Sequence, residues 1–71
     1  MAIDFNQFLT AEQKAEIIAQ RITQFAAEAF QHELNKQVAQ SIGDTEAVAQ
    51  ADAALLTLEE AINTYQNAQV N

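Results

Sequence analysis

Apolar residues recur between residues 48 and 65 in alternating steps of three and four. They are Val48, Ala51, Leu55, Leu58, Ile62 and Tyr65. This seven-residue repeat is typical of a helix that packs against one partner helix along its whole length. An upstream stretch has the same period, at Ala15, Ile18, Ile22, Phe25, Ala29, His32, Lys36 and Ala39. The two stripes predict two helices packed against each other.

Gly43, the single glycine, separates the two stripes. Glycine is favoured just after a helix because it adopts the left-handed conformation without a Cβ penalty. Asp44 or Thr45 can then cap a second helix through its side-chain oxygen. The chain has no proline to interrupt either stripe. We therefore predict helix 1 over 11–42 and helix 2 over 45–67, joined by a tight turn.

The N-terminal residues carry two further helix-start patterns. Asp4 with Gln7, and Thr10 with Gln13, have the spacing of a capping box, in which two side chains satisfy two backbone N–H groups. The first pair predicts a short helical turn over 5–9, and the second predicts the start of helix 1. Helix 1 is then longer than helix 2 at its N-terminal end.

Several apolar residues near that end have no partner on helix 2. They are Phe5, Phe8, Leu9, Ile17 and Ile18. The sequence leaves two alternatives open: the N-terminal turn folds back over these residues, or they form a second contact surface.

Folding the chain back at Gly43 pairs residues whose numbers sum to roughly 87 in an antiparallel helical hairpin. The expected pairs are Ile22 with Tyr65, Phe25 with Ile62, Ala29 with Leu58, His32 with Leu55, Lys36 with Ala51, and Ala39 with Val48. These pairs use both seven-residue stripes, which are therefore predicted to form the contact within the chain.

A second apolar strip on helix 1 remains uncovered. It consists of Phe30, Leu34, Val38 and Ile42, spaced by four residues, and at the same depth helix 2 offers Ala49, Ala53 and Leu56. A strip of this kind on a small protein marks an interface more often than it reflects scattered surface residues. We predict an all-α fold, a two-helix antiparallel hairpin with a short N-terminal helical turn, which forms a homodimeric four-helix bundle through these seven residues.

The length of the chain supports association. Its 71 residues make a single domain, and a chain of this size buries only about 60% of its unfolded surface. Small domains compensate with disulfides, metals or oligomerisation. Because there is no cysteine, oligomerisation is the expected device.

The charge excludes several partners. Ten acidic and three basic residues give a net charge of −7, so phosphate backbones and anionic membrane surfaces would be repelled. No apolar run approaches the ~20 residues of a spanning helix, and residues 1–8 lack the basic start of a signal peptide. We expect a soluble, cytoplasmic protein of a reducing compartment that contacts neither nucleic acid nor membrane.

His32, the only histidine, is followed by Glu33 as in the zinc motif His-Glu-x-x-His, but Lys36 stands where the second histidine is required. Di-iron bundles use Glu-x-x-His, whereas Glu28 precedes His32 by four. A dimer would supply a second Glu28–His32 pair, which is the one metal-binding alternative left open. The preferred interpretation makes His32 and Lys36 polar positions of the intrachain contact, with Lys36 close to Asp52.

Catalytic chemistry has few candidate residues. Ser41 is the only serine and has no histidine nearby in the pattern. No glycine-rich phosphate loop is present. We therefore expect no catalytic, cofactor-binding or metal-binding residues, and no enzyme activity.

Two non-catalytic functions remain. The first is a structural or assembly module, an oligomer whose apolar helix faces dock copies of the chain or a larger protein partner. The second is a small acidic regulator that binds the basic surface of a nucleic-acid-handling protein. Charge mimicry of DNA needs dense carboxylates, but charged residues make up only 18% of this chain and are widely spread. The sequence favours the assembly module.

The opening "MAIDFNQFLTAEQKAEII" and the ending "LLTLEEAINTYQNA" resemble the short, uncharacterised Ala- and Gln-rich helical proteins of marine tailed bacteriophages. The resemblance implies an accessory or virion-associated role, with the protein in a host cytoplasm or a virion, and brings no catalytic residues with it.

Overall fold

The computed structural model describes residues 3–68, and every regular element in that range is helical. A short 3₁₀ turn covers Phe5–Gln7, α1 covers Ala11–Ile42, and α2 covers Thr45–Gln66. The two α-helices pack against each other as an antiparallel hairpin. The predicted all-helical hairpin is confirmed, and α1 has the predicted bounds.

The start of α1 is fixed by local hydrogen bonds. The Gln13 backbone N–H donates to the Thr10 hydroxyl at 3.1 Å, and the Thr10 N–H donates to the Gln13 side-chain oxygen at 2.9 Å. This is the predicted capping box, which satisfies two backbone donors that the first helical turn leaves without partners.

The first predicted capping box does not form. The Asp4 carboxylate accepts from the Asn6 N–H, whereas the Gln7 N–H donates to the Asp4 carbonyl. These bonds close a 3₁₀ turn, which rarely extends beyond a few residues because its hydrogen-bond geometry is poorer. The predicted turn over 5–9 is therefore shorter in the structure and ends at Gln7.

The connection between the helices depends on Gly43, which has φ 73° and ψ 22°. Its conformation lets the Asp44 N–H donate to the Ala39 carbonyl at 2.9 Å and its own N–H donate to the Gln40 carbonyl at 3.3 Å. This is the Schellman arrangement that terminates many helices. The Asp44 carboxylate then accepts from the Ala47 N–H at 3.0 Å and caps α2.

The C-terminal end of α2 differs by one residue from the predicted 45–67. Helix α2 ends at Gln66, and Asn67 is its C-terminal cap. The Asn67 side-chain amide donates to the Asn63 carbonyl at 2.8 Å, so that the side chain satisfies a carbonyl at the helix end.

The hairpin is long and thin. Its radius of gyration is 16.6 Å, whereas a compact domain of this length would have about 11 Å. Within residues 3–68, the buried apolar residues are Ala39, Ala51 and Leu58 alone. Two packed helices without a third layer leave most side chains at the surface, so the isolated hairpin has a minimal core.

Helix α1 has 32 residues and α2 has 22, so α1 extends past the end of α2 by about 15 Å. Ala15, which belongs to the predicted stripe, lies in this overhang and is exposed, because α2 ends before it reaches that level. The 3₁₀ turn stays near α1 through a hydrogen bond from the Lys14 ammonium to the Asn6 side chain. Phe5, Phe8 and Ile17 nevertheless remain exposed.

Candidate interaction surface

The inner faces of the two helices, which we define as the predicted seven-residue stripes without Ala15, form the contact within the chain. Every one of these residues is buried or half-buried. They are Ile18, Ile22, Phe25, Ala29, His32, Lys36 and Ala39 on α1, and Val48, Ala51, Leu55, Leu58, Ile62 and Tyr65 on α2. The period of the sequence therefore identified the surface along which the hairpin closes.

The aromatic contact shows how side-chain direction modifies the pairing. The rings of Phe25 and Tyr65 lie 5.5 Å apart with planes inclined by 35°, although the expected partner of Phe25 was Ile62. Side chains in a helix lean toward its N-terminus. Because the helices are antiparallel, Phe25 and Tyr65 lean toward each other. The ring contact is therefore diagonal, a detail that backbone register alone does not give.

The polar part of the inner face is satisfied by an ion pair. The Lys36 ammonium lies 2.7 Å from the Asp52 carboxylate, which is the neighbour that the sequence predicted. The hydrogen bond with Asp52 and the charge of Asp52 raise the pKa of Lys36 above the ordinary 10.5, and Glu33 adds to the effect against a small opposing contribution from burial. The pair joins α1 and α2 at this level.

The histidine has no metal-binding environment in the described part of the chain. His32 is half-buried on the inner face. Across residues 3–68 no three His, Cys, Asp or Glu side chains come close enough together to hold a metal ion. The structure thus places His32 beside α2 and does not gather ligands around it.

Two surface depressions lie within residues 3–68. One depression of about 460 Å³ is lined by residues of α1 alone, from Glu16 to Gln24, and is therefore an open groove on a single helix. A second, of about 290 Å³, lies at the hairpin turn between Ala39 and Val48. Ligand sites are concave and combine apolar walls with convergent polar groups, whereas the first depression lies open on one helix.

The outer ridge of α1, which we define as Phe30, Leu34, Val38 and Ile42, is exposed. The exposed fraction ranges from 45% for Leu34 to 72% for Ile42. Leu34 lies two residues from both His32 and Lys36, so it points about 200° away from each of these inner-face positions. The ridge therefore faces away from α2, as the spacing of four predicted.

The predicted interface residues of α2 are also exposed. Ala49, Ala53 and Leu56 are all exposed. Ala53 lies two residues from both Ala51 and Leu55, which face α1, so Ala53 points away from α1. Leu34 and Ala53 thus project from opposite outer edges of the hairpin. The shared depth of Leu34 and Ala53 along the hairpin therefore does not place them on one edge, and the two-residue offsets determine the direction of each.

The fully exposed side chains around the outer ridge carry no formal charge. On α1 from 30 to 42, the exposed residues are Phe30, Gln31, Leu34, Asn35, Gln37, Val38, Gln40, Ser41 and Ile42. The two residues of this segment with formal charges, Glu33 and Lys36, are half-buried. This segregation of charge is unexpected on a chain of net charge −7. It can be recognised only when the exposure of each side chain is known.

Comparison of the chain with protein-family models, with curated proteins and with solved structures gives no match. Within residues 3–68, neither helix combines the length and the apolar composition needed to cross a bilayer. The proposed function therefore rests on the geometry of the two helix faces.

Proposed function

We propose that this protein is a non-catalytic assembly module that acts as a homo-oligomer, first of all as a dimer of two hairpins with four helices. The observation that carries the proposal is the outer ridge of α1, four large apolar side chains exposed on an uncharged surface. Contiguous apolar patches of this kind on small proteins are typical of interfaces.

The thin core supports the same proposal. The hairpin exposes 5608 Å², and a standard interface removes about 800 Å² from each partner. This area is one seventh of the surface of the hairpin. Its burial would stabilise the dimer by about 25 cal/mol for each Å² of apolar surface removed from water. Association thus supplies the burial that two helices alone do not provide.

The proposed role is structural, in a host cytoplasm or a virion. The resemblance to short helical proteins of marine tailed bacteriophages supports an accessory or virion-associated part.

Light scattering and sedimentation at micromolar concentration test the proposal. The wild-type chain is expected to have at least twice the monomer mass, and Leu34→Glu is expected to reduce the mass to that of a monomer. Gln20→Glu is the matched control, because it adds the same charge two heptads earlier on the same exposed side of α1.

A monomeric wild type at tens of micromolar would contradict the proposal. Binding to a basic protein that collapses as salt is added would instead favour the acidic-regulator alternative, because screening weakens contacts between exposed charges. Association through the apolar ridge is expected to persist in high salt.

A further inference from the structure

The inner face and the outer ridge of α1 have different geometries. The inner face alternates steps of three and four, which keeps it aligned with the helix axis of a close partner. The outer ridge uses steps of four throughout, and a row of this kind is inclined by about 26° to the axis. A partner that follows the ridge is therefore inclined to α1.

We propose that the ridge is occupied by the same ridge of a second copy, so that two α1 helices cross at about −50° and α2 lies outside the contact. This geometry arises when the i, i+4 rows of two helices interdigitate. The inference rests on the proposed self-association and specifies which surface mediates it. An aligned four-helix bundle would instead require outward-facing residues of both α1 and α2.

The distribution of charge identifies a second copy as the occupant. A basic partner would be bound by carboxylates, but the single carboxylate from 30 to 42 is that of the half-buried Glu33. A second copy is as acidic as the first, with a net charge of −7. Like charges held 4 Å apart repel by about 1 kcal/mol in bulk water and more near a protein surface. An uncharged surface is where two such chains approach with the least repulsion.

The position of the ridge explains why α2 is left out. Leu34 and Ala53 project from opposite edges of the hairpin, so a copy centred on Leu34 does not reach Ala53. The segment 30–42 extends for about 18 Å along α1, which suits the short contact of two crossed helices. Symmetry makes the contact isologous: the side chains of each ridge pack between the side chains of the other.

Single-cysteine variants test which surfaces meet, because the natural chain contains no cysteine. Leu34→Cys and Val38→Cys lie near the centre of the ridge, where each residue approaches its symmetry mate. Oxidation at micromolar concentration is expected to convert at least one of these variants to a disulfide-linked dimer. Ala53→Cys is the matched control and is expected to remain mostly monomeric on a denaturing, non-reducing gel. Efficient cross-linking of Ala53→Cys with none at the ridge would overturn the inference.

Charge substitutions distinguish the crossed contact of two α1 helices from self-association through another surface. Leu34→Glu is expected to weaken the dimer Kd by more than about 100-fold, because it buries an unpaired charge at the centre of the contact. Leu56→Glu and Ala53→Glu are expected to change the Kd by less than about threefold, as rim and remote charges do.

Dissociation by both Leu34→Glu and Leu56→Glu would support a bundle that uses both helices and would overturn the crossed contact while leaving the assembly function in place. A wild type that is monomeric, with neither ridge cysteine cross-linking, would overturn both. Circular dichroism of each variant checks that the helices are retained, so that loss of the dimer is not confused with unfolding.

Discussion

Helix α1 presents two apolar faces over the same stretch of chain, and they have different environments. Phe25, Ala29 and Ala39 are half-buried or buried against α2, whereas Phe30, Leu34 and Val38 are exposed. Hydrophobicity alone does not distinguish the two sets. The difference lies in the partner, since α2 covers the inner face along its length and nothing in residues 3–68 covers the outer one.

The comparison shows that the period of an apolar stripe carries information about its partner. Steps of three and four fit a helix that runs nearly antiparallel, and α2 is that helix. Steps of four fit a helix that crosses at a larger angle, and the hairpin itself offers no such helix. The inner face of α1 thus packs against α2, and the outer ridge is the surface that we propose for association.

The largest expected effect comes from comparing two leucines on α2. Leu58 is 9% exposed on the inner face, and Leu56 is 57% exposed two residues away. Leu58→Ala is expected to lower the free energy of unfolding by about 2–4 kcal/mol, because it leaves a void in the contact with α1. Leu56→Ala is expected to cost less than about 0.5 kcal/mol. Urea unfolding measures both, at a concentration where light scattering shows a monomer. Equal losses would mean that the inner and outer faces are not distinct.

The next largest loss of stability is expected from a substitution at one of the two phenylalanines of α1. Phe25→Ala removes a half-buried ring and its contact with Tyr65, and is expected to cost about 2 kcal/mol, less than a fully buried phenylalanine would. Phe30→Ala removes an exposed ring and is expected to leave the monomer unchanged while weakening association. Thermal unfolding and light scattering on the same samples separate the two outcomes. A destabilised monomer in Phe30→Ala would show that the outer ridge also supports the fold.

A substitution in the turn that joins the two helices is expected to change the free energy of unfolding by less. A Cβ at Gly43 would meet no atom within 4 Å, but φ is +73°. Gly43→Ala is therefore expected to cost about 1 kcal/mol through backbone strain alone. Gln40→Ala, at an exposed position one turn earlier, is the control and should be within about 0.5 kcal/mol of wild type. If calorimetry finds no difference between the variants, the left-handed turn does not limit stability.

The smallest expected effect concerns the Lys36–Asp52 pair. The pKa of Lys36 is raised in the folded chain, so the folded state binds a proton more tightly than the unfolded state. The stabilisation is complete below the ordinary pKa of 10.5 and is lost as pH rises through the raised value. Because both side chains contact solvent, the effect is small. Denaturant unfolding from neutral pH to above 10.5 should show a slightly steeper loss for wild type than for Asp52→Asn, and parallel curves would exclude the linkage.

Local features could be predicted because they depend on a few neighbouring residues. Thr10 and Gln13 form their capping box by themselves, and Gly43 terminates α1 with two backbone hydrogen bonds. Asp4 and Gln7 have the same spacing as a capping box but form a 3₁₀ turn instead, because the Gln7 N–H donates to the backbone carbonyl. The spacing alone does not show whether the backbone N–H of the later residue donates to the side chain or to the backbone carbonyl of the earlier one.

The candidate surface could be predicted only in part. The exposed ridge on α1 followed from its spacing of four, since an axial partner cannot cover a stripe that winds around the helix. The grouping with Ala53 did not allow for direction, because depth along a hairpin says nothing about which edge a residue occupies. The uncharged surroundings of the ridge emerged only once Glu33 and Lys36 were seen to be half-buried beside α2.

The sequence by itself determined two helices, the turn at Gly43 and the stripes that close the hairpin, because helix periodicity, caps and glycine conformation act within a few residues. The tertiary structure decided that Phe25 meets Tyr65 diagonally, that Lys36 pairs with Asp52 at 2.7 Å, and that an uncharged apolar ridge is left at the outer edge of α1. These features depend on the relative placement of two helices and on the direction in which their side chains lean, which no local pattern contains.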